Sequence, residues 1–325
     1  MSRILVTGGA GFIGSHVVEK LVQRGHEVSV VDNLSRGCLE NLASVKEKIS
    51  FHKVDCTRLA LIRSQLRGKD CVIHMAAMIG GVNFMLSHQT DSYNNSFLDY
   101  QVFRACREAE IPKIIFTSSA CIYPTFMQTE QGDGLLKEED AFNPGAKPES
   151  VYGWCKIFAE TALQAMHTET KQKAVILRLF NAYGPREFFN VEKSHVIPAM
   201  VMRAFSKEDP FGIWGRGIQK RAFTYVDDVA EAICRGYEYI EKPDPINIGT
   251  RDTIMIDDLA KKILAIAGYT PEIKHLLEYP EGVFQRMPSL EKAKDLLGWE
   301  PTTSLDDGLR KTWEYYVSTV PPALR

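Results

Sequence analysis

An α/β fold is predicted for this sequence: a doubly wound parallel sheet, followed by a smaller, non-contiguous C-terminal domain. Two observations predict it. Short apolar runs rich in Val and Ile alternate with helix-length segments as far as Leu179. The runs show no polar alternation, as expected of strands buried on both faces. Composition agrees, with 45% of the 325 residues hydrophobic and 25% charged, an ordinary globular balance.

The elements follow in order. Ile4-Leu5-Val6-Thr7 reads as the first strand, and Ser15 to Arg24 as a helix stopped by Gly25. Val28 to Val31 is the second strand. Phe51 to Val54, Cys71 to His74, Lys113 to Thr117 and Ala174 to Leu179 are further strands. Helix-like stretches lie near 58–66, 94–109 and 151–168. After Gly184-Pro185 the alternation stops, and residues 186–220 are rich in aromatics, Pro and Gly. Val226 opens a helix, and Ile246-Asn247-Ile248 is a strand. Helices are expected near 255–267, 289–297 and 304–317, with extended chain near 272–276. The expected division is 1–180, with segments near 222–250 returning to it, and mainly 181–325 for the second domain.

The charge balance narrows the partners. Lys and Arg number 39 against 41 Asp and Glu, a formal net charge of -2. No global basic field therefore favours nucleic acid or an anionic membrane. No apolar run reaches the ~20 residues of a membrane span. Met1 to Gly8 enters a strand without a secretory apolar region. The seven cysteines include no Cys-x-x-Cys pair, so neither zinc nor a disulfide framework is expected. A cytoplasmic protein is the expectation.

Gly8-x-x-Gly11-x-x-Gly14 lies between a strand and a helix. Glycines there let the backbone turn tightly and approach a pyrophosphate at the helix N-terminus. Asp32 ends the second strand, 18 residues past Gly14. A carboxylate at that place accepts from a ribose 2′-hydroxyl and repels a 2′-phosphate, which favours NAD over NADP. The flanking Phe12, Ile13, Asn33 and Ser35 are placed with the same cofactor site.

Thr117-Ser118-Ser119-Ala120-Cys121-Ile122-Tyr123-Pro124 closes the fourth strand after the fingerprint. Tyr152 and Lys156 are four apart in an expected helix and share a face. An ammonium near a phenol favours phenolate and lowers its pKa from ~10. The phenolate can then take an alcohol's proton as hydride leaves. Ser119 can hydrogen-bond the same oxygen.

These motifs, with Arg178-Leu179-Phe180-Asn181-Ala182-Tyr183-Gly184-Pro185, resemble the extended short-chain dehydrogenase/reductase family acting on nucleotide sugars. The resemblance spans nearly the whole chain and implies an NAD-binding Rossmann domain. The Ser118 to Pro124 run, Ile213 to Thr224, Ile246 to Gly249, and Pro280-Glu281-Gly282-Val283 with Arg286 are similar to GDP-mannose 3,5-epimerases. Ser194-His195-Val196-Ile197-Pro198 resembles GDP-fucose synthases more closely. The resemblance implies Asp55 and Cys56 beside adenine, Met75, Ala76 and Ala77 beside nicotinamide, and Asn95 as a support. It also implies Gly80, Gly81 and Val82 against the sugar, and Asn181, Val196, Arg221 and Arg286 on the substrate. Trp214 is either core or a base platform. A homodimer through the helices near 94–109 and 151–168 is likewise implied.

Oxidation of a sugar C4 hydroxyl to a ketone acidifies the hydrogens on C3 and C5. A thiol such as Cys121 can remove or return such a proton. Inversion needs a second group across the ring, and the resemblance offers Lys193 or His195. The 4,6-dehydratases carry Thr-Asp-Glu where Ala120 and Cys121 stand, and related decarboxylases carry a nearby Glu. Those branches are disfavoured. The expected activity is NAD-dependent nucleotide-sugar epimerisation with proton exchange at C5, C3 or both. The alternatives are a 4-epimerase, a GDP-fucose-synthase-like epimerase/reductase, and a non-catalytic NAD sensor.

Overall fold

A computed structural model describes residues 1–188 and 194–319. The first half contains β1 (Arg3–Thr7), α1 (Phe12–Gln23), β2 (Glu27–Asp32), β3 (Ile49–Lys53), α2 (Leu59–Gln65) and β4 (Cys71–His74). These are followed by α3 (Val82–Ser87), α4 (Gln89–Glu108), β5 (Lys113–Ser119), β6 (Leu135–Leu136), α5 (Val151–Thr170) and β7 (Lys173–Leu179). The second half continues with β8 (Ala182–Tyr183), α6 (Val196–Phe205), β9 (Phe211–Trp214), β10 (Lys220–Ala222), β11 (Thr224–Tyr225) and α7 (Val226–Tyr239). It ends with β12 (Ile246–Ile248), β13 (Thr253–Met255), α8 (Ile256–Ala267), β14 (Ile273–Leu276), β15 (Gln285–Pro288), α9 (Glu291–Leu297) and α10 (Leu305–Thr319).

Seven strands form one sheet in the order β12-β7-β5-β4-β1-β2-β3. Every neighbouring pair is parallel. Strand side chains alternate between faces, and the core divides accordingly. Ile4, Val6, Ile73 and Ile115 pack with α1 and α7 on one face. Leu5, Val72, Ile114 and Phe116 pack with α4 and α5 on the other. Both faces are buried, which is why the strands carry no polar alternation.

The chain runs outward from β1 through β2 to β3, then crosses back to β4 on the other side of β1. That reversal opens a crevice beyond the carboxyl ends of β1 and β4, the usual ligand position in such sheets. Strand β12 and helix α7 return to the large sheet from beyond residue 180. A four-stranded sheet, β13-β10-β15-β6, stands beside it. Its edge strand β6 comes from the first half of the chain. A third core joins α6, β9, α8 and α10.

Helices α3 and α6 lie outside the helices expected from the sequence. Pro198 occupies the first turn of α6, where no intrahelical hydrogen bond needs its missing N–H. No helix among the described residues is long and apolar enough to cross a membrane.

Candidate active site

One cleft of about 1140 Å³ runs across the carboxyl ends of the large sheet. Its walls include the glycine-rich turn, the ends of β2, β4 and β5, the start of α5, and residues of the second half of the chain. The volume exceeds the 300–1,000 Å³ of common small-molecule sites, which suits two ligands end to end.

The turn after β1 is built for close backbone approach. Gly8 has φ +70°, and a Cβ on it would lie 2.8 Å from the Ala76 nitrogen. A Cβ on Gly14 would lie 2.2 Å from the Gly8 carbonyl oxygen. Gly11 caps α1 without a side chain, so the first amides of α1 face the cleft with no competing cap. Asp32 is 8% exposed at the end of β2. Its carboxylate accepts from the Ala10 amide at 3.0 Å and the Leu34 amide at 2.8 Å. Burial nonetheless holds its pKa above the ordinary carboxylate value. Asn33 accepts from the Ser35 amide at 3.0 Å.

The far wall of that region is equally specific. Asp55 accepts from the Thr57 amide at 2.9 Å and the Thr57 hydroxyl at 2.7 Å. Cys56 is buried, and burial raises its thiol to about 12. Asn95 accepts from the Met78 amide at 2.7 Å and donates to the Met78 and Ser92 carbonyls, each at 2.9 Å. It thereby holds the loop that carries Met75, Ala76 and Ala77. Phe12, Ile13, Asn33, Ser35, Asp55 and Asn95 all line the cleft. The glycine cradle, the free helix amides and the β2 carboxylate fit a dinucleotide.

Beyond β5 the chain makes a short turn, Ala120–Ile122, capped by Ser119, whose hydroxyl accepts the Cys121 amide at 3.2 Å. Helix α5 presents Tyr152 and Lys156 one turn apart. Gly153 brings this helix in: a Cβ there would sit 2.3 Å from the Cys121 carbonyl oxygen. Tyr152 is buried and hydrogen-bonded to Ser119. The Lys156 ammonium lies 4.3 Å from the Phe116 ring centre and 5.6 Å from that of Tyr152.

The expected lowering of the phenol pKa is not seen. Burial pushes Tyr152 well above its ordinary value, and Cys121 and Asp99 add to this. The Ser119 hydrogen bond works the other way. Desolvation disfavours phenolate more than the Ser119 hydrogen bond favours it.

Asp99 belongs to a buried chain that the sequence reading missed. Thr7 accepts from the Met75 and Ala76 amides, each at 3.2 Å. Its hydroxyl proton therefore points to His74 Nδ1, 2.7 Å away. That leaves His74 Nε2 to donate to Asp99 at 2.9 Å. The loop carrying Met75 and Ala76 is thus tied to α4.

On the substrate side, Arg221 and Arg286 are direct register partners across β10 and β15. Arg286 reaches Gln128 at 2.6 Å, Glu149 at 3.2 Å and the Cys121 sulfur at 3.8 Å. Arg221 donates to the Lys220, Phe284 and Glu281 carbonyls. Enclosure first, and the Arg286 charge second, lower its pKa to about 10. With Glu149 on Arg286 and Glu281 already paired to Arg216, the two guanidiniums side by side leave a net positive pocket suited to an anion. Asn181, at φ 24°, donates to the Ala222 carbonyl at 3.0 Å.

Trp214 is half-buried, lines the cleft and stacks on Tyr279 with centroids 4.5 Å apart. Gly80, Gly81 and Val82 line the same region. A Cβ on Gly81 would lie 2.3 Å from the Ser194 carbonyl oxygen, so this loop packs against the chain entering His195 and Val196. His195 lines the cleft and lies 2.6 Å from Glu187. Lys193 lies outside the described residues. Among those residues, no group of three or more His, Cys, Asp or Glu is placed to hold a metal.

Sequence reasoning missed Gln128, Glu149 and Glu187, because loop residues without periodicity carry no spacing signal. The Glu149 side chain precedes Tyr152 by three residues, and that proximity was the available clue.

Comparison with known proteins places the chain. It is 32% identical to GDP-mannose 3,5-epimerase 1 of Oryza sativa subsp. japonica over 96% of this chain and 80% of that one. The structure resembles UDP-glucose 4-epimerase of Thermotoga maritima with UDP-glucose, at TM-score 0.87 and 30% identity, covering 98% of this chain and 99% of that one. It also resembles the Thermus thermophilus UDP-glucose 4-epimerase complex with NAD, at TM-score 0.86 and 28% identity, covering 98% of this chain and all (100%) of that one. A model of the NAD dependent epimerase/dehydratase family matches residues 4–249, and the chain belongs to that family.

Proposed function

We propose that this protein is an NAD-dependent nucleotide-sugar epimerase of the GDP-mannose 3,5-epimerase type. The observation that carries the reading is that Cys121 and His195 both line the cleft that also holds Ser119, Tyr152 and Lys156. Neither Ala120 nor Cys121 is a carboxylate, so that turn offers no acid for dehydration. Bound NAD supplies the acceptor, and later the donor, of the C4 hydride.

The chain's own residues do the rest. Gly8, Gly11, Gly14 and the α1 amides hold the cofactor pyrophosphate, and Asp32 takes the ribose hydroxyls. Arg221 and Arg286 hold the substrate diphosphate, with Asn181 beside it. Ser119 fixes the C4 oxygen. Tyr152 is neutral in the cofactor-free protein. The Lys156 ammonium and the positive charge of a bound nicotinamide would favour the phenolate, which takes the C4 hydroxyl proton and later returns it. While C4 is a ketone, Cys121 and His195 exchange protons at C5, C3 or both from opposite ring faces. We assign the cofactor mainly to residues 1–180 and the substrate mainly to 181–325.

A second reading, 4-epimerisation, draws support from the likeness to UDP-glucose 4-epimerases. It needs no thiol beside C4. Cys121→Ser separates the two: the proposed mechanism predicts turnover reduced by about 10²-fold or more, the loss typical of a missing general acid–base. Near-full turnover of a UDP-sugar by that variant would establish the 4-epimerase reading instead. Homodimerisation is part of the proposal, supported by Tyr93, Phe97, Tyr100, Trp154 and Phe158, large side chains left exposed on α4 and α5. The cytoplasm is the proposed site of action.

A further inference from the structure

We propose that Glu187 is the positioning residue for His195, so that the group facing Cys121 is a carboxylate–imidazole pair. This rests on the reading of His195 as a proton-exchange group. Glu187 Oε1 lies 2.6 Å from His195 Nδ1. The carboxylate is 5% exposed by its side chain, whereas the imidazole is 43% exposed and lines the cleft. Glu187 Oε2 is buried and accepts no hydrogen bond among the described residues. A buried carboxylate is costly unless something holds it in place for use.

Among the described residues, no arginine claims this carboxylate by hydrogen bond. Its neighbour Arg186 pairs with Glu19 at 2.8 Å. Arg36 contributes only a field, and its guanidinium sits 4.8 Å from the Phe188 ring centre. The backbone of Glu187 is anchored separately, since the Tyr316 hydroxyl donates to its carbonyl at 3.3 Å. The backbone of His195 is anchored too, accepting the Ala199 amide at 3.1 Å in the first turn of α6. Both ends of the pair are therefore held, while the imidazole stays open to the cleft.

The chemistry follows from the tautomer. A carboxylate can only accept, so Nδ1 carries the proton and Nε2 presents its lone pair. Nε2 takes a proton from the sugar carbon beside the C4 ketone. The C–H electron pair becomes the enolate, with its charge on the ketone oxygen. The resulting imidazolium is balanced by Glu187, and the Cys121 thiol gives its proton to the other face of the enolate carbon. Solvent then takes the imidazolium proton and reprotonates the thiolate, so both groups are restored after a cycle. Without Glu187 either tautomer is open, and imidazoles protonated at Nε2 would present N–H where a base is needed.

The test uses the full chain labelled with 15N-histidine. In the unsubstituted protein, above the imidazole titration, the ring nitrogens of His195 should show the Nδ1–H tautomer, with the resonance assigned by its loss in His195→Asn. Finding Nε2–H there overturns the proposal, and this arm needs neither mutation of Glu187 nor substrate. Glu187→Ala should lose the tautomer preference. With GDP-mannose in deuterium oxide, it should slow deuterium entry at C3 or C5 by about 10–100-fold, as loss of a residue orienting a functional His does. Glu187→Asp should recover part of that rate. Unchanged deuterium entry in Glu187→Ala overturns the proposal if His195→Asn abolishes entry. If His195→Asn leaves entry intact, the role given to His195 itself has failed.

Discussion

Tyr152 sets the energetic problem at the residue scale. A buried phenol surrounded by Cys121 and Asp99 holds its proton more tightly than a free one. The sign follows directly: a raised pKa keeps the neutral form at and well above neutral pH. A spectrophotometric titration of the cofactor-free protein should show no phenolate from Tyr152 below about pH 10. The wild-type curve should overlie that of Tyr152→Phe throughout this range. A phenolate step near neutrality that vanishes in Tyr152→Phe would contradict the account. Reading from sequence, Lys156 alone was weighed, because only its spacing from Tyr152 is visible in the chain. Burial and Asp99 depend on α4 packing against α5, which no local spacing reports. The same holds for Glu187 and Gln128, whereas the glycine fingerprint and Asp32 are legible because one strand–helix–strand unit contains them.

Elements meet at the turn after β5. Helix α5 can approach it because Gly153 has no side chain, and the Cys121 carbonyl occupies the space a Cβ would need. Gly153→Ala should therefore push α5 from the turn. The expected cost is about 1–3 kcal/mol, the range for overpacking a tight contact, read by urea denaturation. A larger proportional loss of turnover should accompany it, since Ser119 and Tyr152 would separate. Unchanged stability and turnover would mean the close contact carries no weight. The large sheet was readable because buried parallel strands print as continuous apolar runs. The second sheet was not, since β6 and β15 pair over only Leu135, Leu136, Met287 and Pro288. Short strands joined across such a separation leave no periodic pattern.

For the whole molecule, the exposed ring surface of α4 and α5 is the feature that the single chain does not explain. Phe158 is 70% and Tyr93 66% exposed. Five large aromatic side chains left exposed on two helices that pack together exceed the singly scattered apolar residues usual on a monomer. Sedimentation should find a dimer, and Phe158→Asp should shift it to monomer while leaving the fold intact. A wild-type monomer at micromolar concentration would contradict this part of the account. The central claim is that a ketone made transiently at C4 lets the cleft exchange a proton on a neighbouring carbon. The direct measurement incubates the enzyme with GDP-mannose in deuterium oxide, without added cofactor, and locates the label by NMR and mass spectrometry. The account predicts deuterium at C5, C3 or both, and none at C4, because that hydride returns from the cofactor. Epimerised product with no deuterium at C3 or C5 would contradict it.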